Sequence, residues 1–123
     1  MGYNGAFGFH NQGSGGGSNT PVVQTVISAA TVTPTTADDL VVITAQAVGL
    51  TLANPTGVAA QGQSLIIRIK DDGNSQTIAY GTQYRAIGVT LPVATVVSKT
   101  LYLGFIYNLD DTTWDCIGVA QEV

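Results

Sequence analysis

Three adjacent carboxylate pairs, Asp38-Asp39, Asp71-Asp72 and Asp110-Asp111, are the groups in this chain most suited to chemistry. Paired carboxylates can hold a hard cation, or share acid and base work across a glycosidic bond. Calcium takes six to eight oxygens converging from several directions. Neighbouring side chains on one turn do not supply that, and no EF-hand spacing is present. A glycosidase needs its two carboxyls at a set separation across a cleft, and no spacing here marks one. Each pair stands where a turn is expected, so turn formation is the role assigned to all three.

The remaining reactive types are few. His10 is the one histidine, and it lies in a glycine-rich stretch. A catalytic imidazole needs rigid support, so a nucleophile–His–acid arrangement is not expected. The single cysteine, Cys116, cannot form an internal disulfide. It alternates with Trp114 and reads as a small buried filler. The run Gly13-Ser14-Gly15-Gly16-Gly17-Ser18 lacks the Lys and the preceding strand of a phosphate-binding loop. These residues point to no catalytic site, no metal and no cofactor. Trp114, Tyr80, Tyr84, Tyr102 and Tyr107 could stack on a sugar. Packing or subunit contact is the role expected of them, since most aromatics in small β domains are spent that way. Tyr107 and Trp114 flank one tight turn, Leu109-Asp110-Asp111-Thr112, and should be neighbours in a hairpin.

The charge distribution divides the chain. The first 37 residues carry no Asp, Glu, Lys or Arg, and seven of the fifteen glycines fall between positions 2 and 17. Residues 1–20 form an uncharged arm and residues 21–123 a Thr/Val-rich body. Glycine loses the most entropy on ordering, so the arm is expected to order against a partner. Tyr3, Phe7 and Phe9 are its candidate anchor residues. Charged residues make up 10% of the chain, against about 25% in an average domain. So little charge suits a protein packed against others. The four cations, Arg68, Lys70, Arg85 and Lys99, and a net charge of −4 argue against nucleic-acid binding, which requires phosphate neutralisation. No apolar run is long enough to cross a membrane as a helix, and neither membrane insertion nor a signal peptide is expected.

The body reads as short strands over 22–30, 40–45, 49–53, 63–70, 76–80, 100–108 and 113–121. Pro34 breaks the first region, and Asn54-Pro55-Thr56-Gly57 is a turn. Leu65, Ile67 and Ile69 share one face of their strand. The following Asp71-Asp72-Gly73-Asn74 predicts a hairpin whose return strand is 76–80. In 100–108, Leu101, Leu103, Phe105 and Tyr107 share one face, while Tyr102 and Ile106 flank Gly104 on the other. An antiparallel strand with a wet face should alternate apolar and polar. This one is apolar on both sides, so it is central or its second face meets another subunit. Segment 36–48 is where a helix could lie, and its Val-Val-Ile run argues against one. The expected fold is all-β: a β-sandwich or jelly roll of short antiparallel strands with an extended N-terminal arm. Trp114, Tyr107, Phe105 and Tyr102 are its candidate core or subunit-contact residues.

The run Asn54-Pro55-Thr56-Gly57, then Gly62-Gln63-Ser64-Leu65-Ile66-Ile67-Arg68-Ile69-Lys70-Asp71 and Asp72-Gly73, resembles a small β-rich module of tailed-bacteriophage structural proteins. So does the run Lys99-Thr100-Leu101-Tyr102-Leu103-Gly104-Phe105-Ile106-Tyr107-Asn108, with Trp114-Asp115 after it. The resemblance covers about residues 33–121 and leaves the arm outside. It implies a virion protein of head-fibre, capsid-decoration or tail-fibre-head type, made and assembled in the host cytoplasm. It implies a homotrimer and no enzyme. Neither heptads nor Gly-X-Y repeats are present, so no fibre shaft is expected. The leading expectation is a decoration or head-fibre protein docked by its arm on a capsid or tail protein. The alternative is a receptor-binding head that recognises host glycans.

Overall fold

A computed structural model describes residues 20–123. Tyr3, Phe7, Phe9 and His10 lie outside the described residues, as does nearly all of the expected arm. The described chain is all-β. Its strands are β1 (Val23–Val26), β2 (Thr31–Val32), β3 (Leu40–Gln46), β4 (Leu50–Leu52), β5 (Ser64–Asp71), β6 (Ile78–Tyr80), β7 (Tyr84–Ala86), β8 (Thr100–Asn108) and β9 (Thr113–Gln121).

They form two sheets, a six-stranded one in the order β1-β3-β5-β8-β9-β7 and a three-stranded one in the order β2-β4-β6. The first six strands alternate between the sheets. The chain therefore winds three times, each circuit laying one strand beside its predecessor in each sheet. Strands laid down in the same sense pair in parallel: β1 with β3, β3 with β5, β2 with β4, and β4 with β6. β7 pairs in parallel with β9. Among the strands of the described residues, antiparallel pairing is confined to β5–β8 and β8–β9, with one isolated antiparallel bridge between Thr77 and Ala94. The expected all-antiparallel arrangement is corrected accordingly.

The expected hairpin at Asp71-Asp72-Gly73-Asn74 is also corrected. Residues 76–80 do not return along β5; β6 lies beside β4 in the other sheet. A turn signal fixes where a strand stops, not which strand comes next. The Asp71 carboxylate fastens the end of β5 to the segment that leads into β8. That carboxylate accepts hydrogen bonds from the Gly73 N–H (2.8 Å), the Ser98 N–H (2.8 Å) and the Thr95 hydroxyl (2.6 Å).

Side chains at the corners lock successive circuits together. Gln46 is fully buried, and its amide donates to the carbonyls of Ala29 (2.7 Å) and Val48 (2.8 Å). The Asn54 side chain accepts from the Gln83 N–H (2.9 Å), and the Gly81 N–H donates to the Leu52 carbonyl (2.8 Å). A Cβ at Gly81 would stand 2.8 Å from the Asn54 backbone nitrogen, so glycine is required for the circuits to approach.

One core joins the sheets. Val32, Leu50, Leu52 and Ile78 from the smaller sheet meet Val41, Ile43, Leu65, Ile67, Ile69, Leu101, Leu103, Phe105, Trp114 and Cys116 from the larger one. β5 shows why: its burial alternates residue by residue, with Leu65, Ile67 and Ile69 inward.

Candidate interaction surface

Strand alternation that buries Val41, Ile67 and Leu103 must turn their neighbours to the opposite face of the six-stranded sheet. Register then places those neighbours in rows. One row runs Val23, Leu40, Ile66, Gly104, Gly118. The next runs Thr25, Val42, Arg68, Tyr102, Ala120. A third holds Ser64, Ile106, Asp115 and Arg85, and a fourth holds Lys70 and Thr100. The first row carries no polar side chain across five strands: three aliphatic residues followed by two glycines. β8 is therefore central in its sheet, and its second face lies outside the core.

Gly104 pairs with Gly118, and the register slips between Gly104 and Phe105, leaving Ile117 as the extra residue of a bulge. Ile117 is exposed there, as are Tyr102 and Val23. Val42 is 6% exposed yet does not belong to the inter-sheet core cluster.

The two ends of this face differ electrically. At the end where β5 finishes and β8 begins, Lys70, Thr100, Tyr102, Ala120, Gln121 and Glu122 line a shallow depression. The Lys70 ammonium donates to the Ser98 carbonyl (2.8 Å) and that of Lys99 to the Val123 carbonyl (3.2 Å). The Glu122 carboxylate accepts from the Thr100 N–H (2.8 Å), which, with the nearby Lys70 and Lys99, holds its pKa below the usual range. Arg68 makes no ion pair among the described residues.

At the opposite end Arg85 clamps Asp115 with two hydrogen bonds, Nε to Oδ1 at 2.8 Å and Nη2 to Oδ2 at 3.0 Å. Nη2 also reaches Asp111 at 3.0 Å. The Thr113 hydroxyl donates to Asp115 at 2.8 Å. The Arg85 bonds hold the Asp115 carboxyl below the ordinary carboxylate range. Such a two-pronged pair fixes direction as well as charge, and it fastens β7 to β9 beside the β8–β9 turn. The sequence held Arg85 and Asp115 thirty residues apart, with no local signal linking them.

The aromatic residues divide between inside and outside. Trp114 is 2% exposed, and its ring centroid lies 5.0 Å from that of Tyr107. Phe105 is buried, 5.1 Å from the ring of Tyr84. The Tyr84 hydroxyl donates to the Ala53 carbonyl and that of Tyr80 to the Pro92 carbonyl, both at 2.7 Å. Burial pushes both phenol pKa values up. Tyr102 is the outward member, 43% exposed. The five candidate stacking residues are thus not gathered on one surface.

The carboxylate pairs cap turns. Asp38 accepts from the Thr35 N–H and from Gln24 Nε2, both at 2.8 Å, and Asp39 accepts from the Val22 N–H at 2.7 Å. Burial would raise the Asp71 pKa, but bonds from Thr95, Ser98, Gly73 and Asn74 together hold it down. Among the described residues no three His, Cys, Asp or Glu side chains gather as metal ligands. Cys116 is buried. Burial pushes its thiol up, away from the reactive thiolate.

Among the described residues no helix is long and apolar enough to cross a membrane. Comparison with protein-family models, curated proteins and solved structures finds no match to this chain.

Proposed function

We propose that the chain is a structural protein of a bacteriophage particle, of head-fibre or capsid-decoration type. In this reading the body is a two-layered β-sandwich that associates with further copies of itself, and the N-terminal arm docks it on a capsid or tail protein. The observation that carries the reading is the outer face of the six-stranded sheet: a row five strands wide without a polar side chain, on a chain with very few charges. An outward sheet face with such a row suits contact with another chain. The likeness of residues 33–121 to phage structural modules supplies the setting, and Tyr3, Phe7 and Phe9 supply the anchor. The test is a chain starting at Pro21, offered to assembling particles beside the full-length protein. The short chain should fold and self-associate but fail to join the particle. Equal incorporation of both would overturn the arm's role.

A second reading, host-glycan recognition, is favoured by Tyr102. Its exposed ring borders the depression lined by Lys70, Gln121 and Glu122, and such a ring with polar neighbours suits a saccharide. In this reading Tyr102→Ala abolishes binding on a glycan array; an array that the unaltered protein leaves blank removes it.

A further inference from the structure

We infer that the sheet edge laid down by the first circuit pairs with the same edge of a second copy, β1 antiparallel to β1, about a two-fold axis beside Gln24. The inference rests on the self-association proposed above. It places the contact between copies at the edge of the six-stranded sheet and leaves the outer face to other chains.

The two ends of the winding differ. The last circuit is covered in both sheets. β8 lies antiparallel on β5. Residues 93–95 run antiparallel beside β6: the Ile78 N–H donates to the Val93 carbonyl (2.9 Å), the Thr95 N–H donates to the Gln76 carbonyl (2.8 Å), and Thr77 bridges to Ala94. The first circuit has no such cover among the described residues, where β1 and β2 are the terminal strands of their sheets. The far edge of the larger sheet, β7, is three residues long and carries Arg85. β1 is not guarded in that way. Residues 22–27 hold no charge and no proline, and Val22, Val23 and Ile27 are exposed. Such an edge is a template for another strand, and the end of a repeating winding ordinarily needs a polar cap.

The backbone hydrogen bonds name the occupant. The Val22 carbonyl accepts from the Leu40 N–H (3.2 Å). In a parallel ladder alternate residues bond to the same neighbour. Gln24 and Val26 therefore spend their backbone groups on β3, while Val23 and Thr25 turn theirs to the open side. Two such residues, symmetric about Gln24, are self-complementary. An antiparallel second β1 sets Val23 opposite the partner's Thr25, and Thr25 opposite the partner's Val23. Each pair exchanges two hydrogen bonds, which satisfies all four outward groups of each strand. The same patch serves both copies, as a two-fold axis demands.

The chain's own N-terminal residues are the rival occupant, and their sequence argues against them. Every circuit gives the smaller sheet apolar residues: Val32, then Leu50 and Leu52, then Ile78. The smaller-sheet strand ends eight to twelve residues before the next strand of the larger sheet, Val32 before Leu40 and Leu52 before Ser64. In a further circuit before Val23 that position falls within residues 11–15. Residues 11–20 contain no aliphatic or aromatic residue to fill it.

Edge pairing also positions the arms. Pro21 stands opposite the partner's Ile27, so two arms leave the paired bodies within about 20 Å of each other. Two arms held that close can dock together, which raises avidity without a new contact.

Analytical ultracentrifugation of the full-length protein at micromolar concentration tests this. The expected species has twice the chain mass. Thr25→Pro removes one outward N–H from each copy, at an edge position that tolerates proline; it should weaken pairing by roughly tenfold or more. Val23→Lys with Thr25→Lys sets lysine opposite lysine in both pairs and should give monomer. Val23→Lys with Thr25→Glu sets lysine opposite glutamate in both pairs and should restore the dimer. Val58→Lys, at an exposed residue outside the strands, should leave it paired. A chain starting at Pro21 should pair as the full-length chain does. Circular dichroism and thermal melting check that each variant is folded; should Thr25→Pro not fold, the two charge variants carry the test. A monomer, a trimer, a dimer indifferent to the folded edge variants, or a dimer lost on removing residues 1–20 overturns the edge pairing. Particle incorporation is read separately: a dimer that fails to join particles leaves this pairing intact and removes the virion reading.

Discussion

Trp114 illustrates what one side chain does here. It fills the space between the sheets at the β7 end, against Tyr107, and is almost fully covered. Replacing a buried Trp by Ala typically costs about 3–5 kcal/mol. Trp114→Ala should therefore lower the urea midpoint sharply, with little change in slope; an unchanged midpoint would show that the ring contributes no packing. Asp71 and Asp115 make a prediction about pH. Both carboxyls are held below their ordinary values in the folded chain. The unfolded chain then binds more protons on acidification. Their stabilisation is present above the unfolded carboxylate pKa of about 4 and is lost as pH falls through the lower folded values. Urea melts between pH 6 and pH 2 should show stability falling mainly below pH 4. Asp71→Asn should be less stable at pH 6 and lose less on acidification. A parallel decline in both proteins would remove Asp71 as a source of the pH dependence.

At the level of elements, the sequence announces strands better than it announces their neighbours. β3, β5, β8 and β9 are legible because seven to nine residues of inward alternation or of apolar content leave little doubt about type. β2, β4 and β6 span two or three residues, too few to show a period. The winding was not legible at all. Alternation within β5 states which face is inward but not that β3 lies parallel on one side and β8 antiparallel on the other. The second apolar face of β8 was legible, since Tyr102 and Ile106 stand opposite Leu101, Leu103 and Phe105. The Arg85 clamp was not, because its two halves meet only through the β7–β9 register. Corner residues connect circuits, so they should be unforgiving. Gly81→Ala would drive a methyl into Asn54. Forcing an extra carbon into a packed site typically costs about 1–3 kcal/mol. A thermal melt of Gly81→Ala should show that loss, whereas Gly62→Ala gains no close neighbour and is penalised through its positive φ alone. Equal melting of Gly81→Ala and the unaltered protein would mean that the circuits can move apart.

For the whole molecule, what matters is how far order depends on distant parts of the chain. Each circuit lies on the one before it, and β7 crosses the sheet to pair with β9, so few strands meet their immediate successors. Such long-range pairing folds slowly, in milliseconds to seconds, because loops close before contacts reward them. The core and the corner hydrogen bonds described above use residues from Val22 onward, including the bond from the Val22 N–H to Asp39. A chain starting at Pro21 keeps all of them. It should melt within a few degrees of the full-length protein and refold at the same rate after dilution from urea. The comparison also separates two roles for the uncharged arm. An arm that serves only as an attachment adds nothing to the stability of the isolated body, since a contact must exceed about 1–2 kcal/mol of backbone entropy for each residue it orders. An arm that packs on its own body would raise the melting temperature of the full-length chain by a margin independent of protein concentration. An arm that packs on a second copy would raise it by a margin that grows with concentration, because association stabilises by mass action. Melting both chains over a hundredfold range of concentration distinguishes the three, and a concentration-independent loss on truncation would reassign residues 1–20 from attachment to folding.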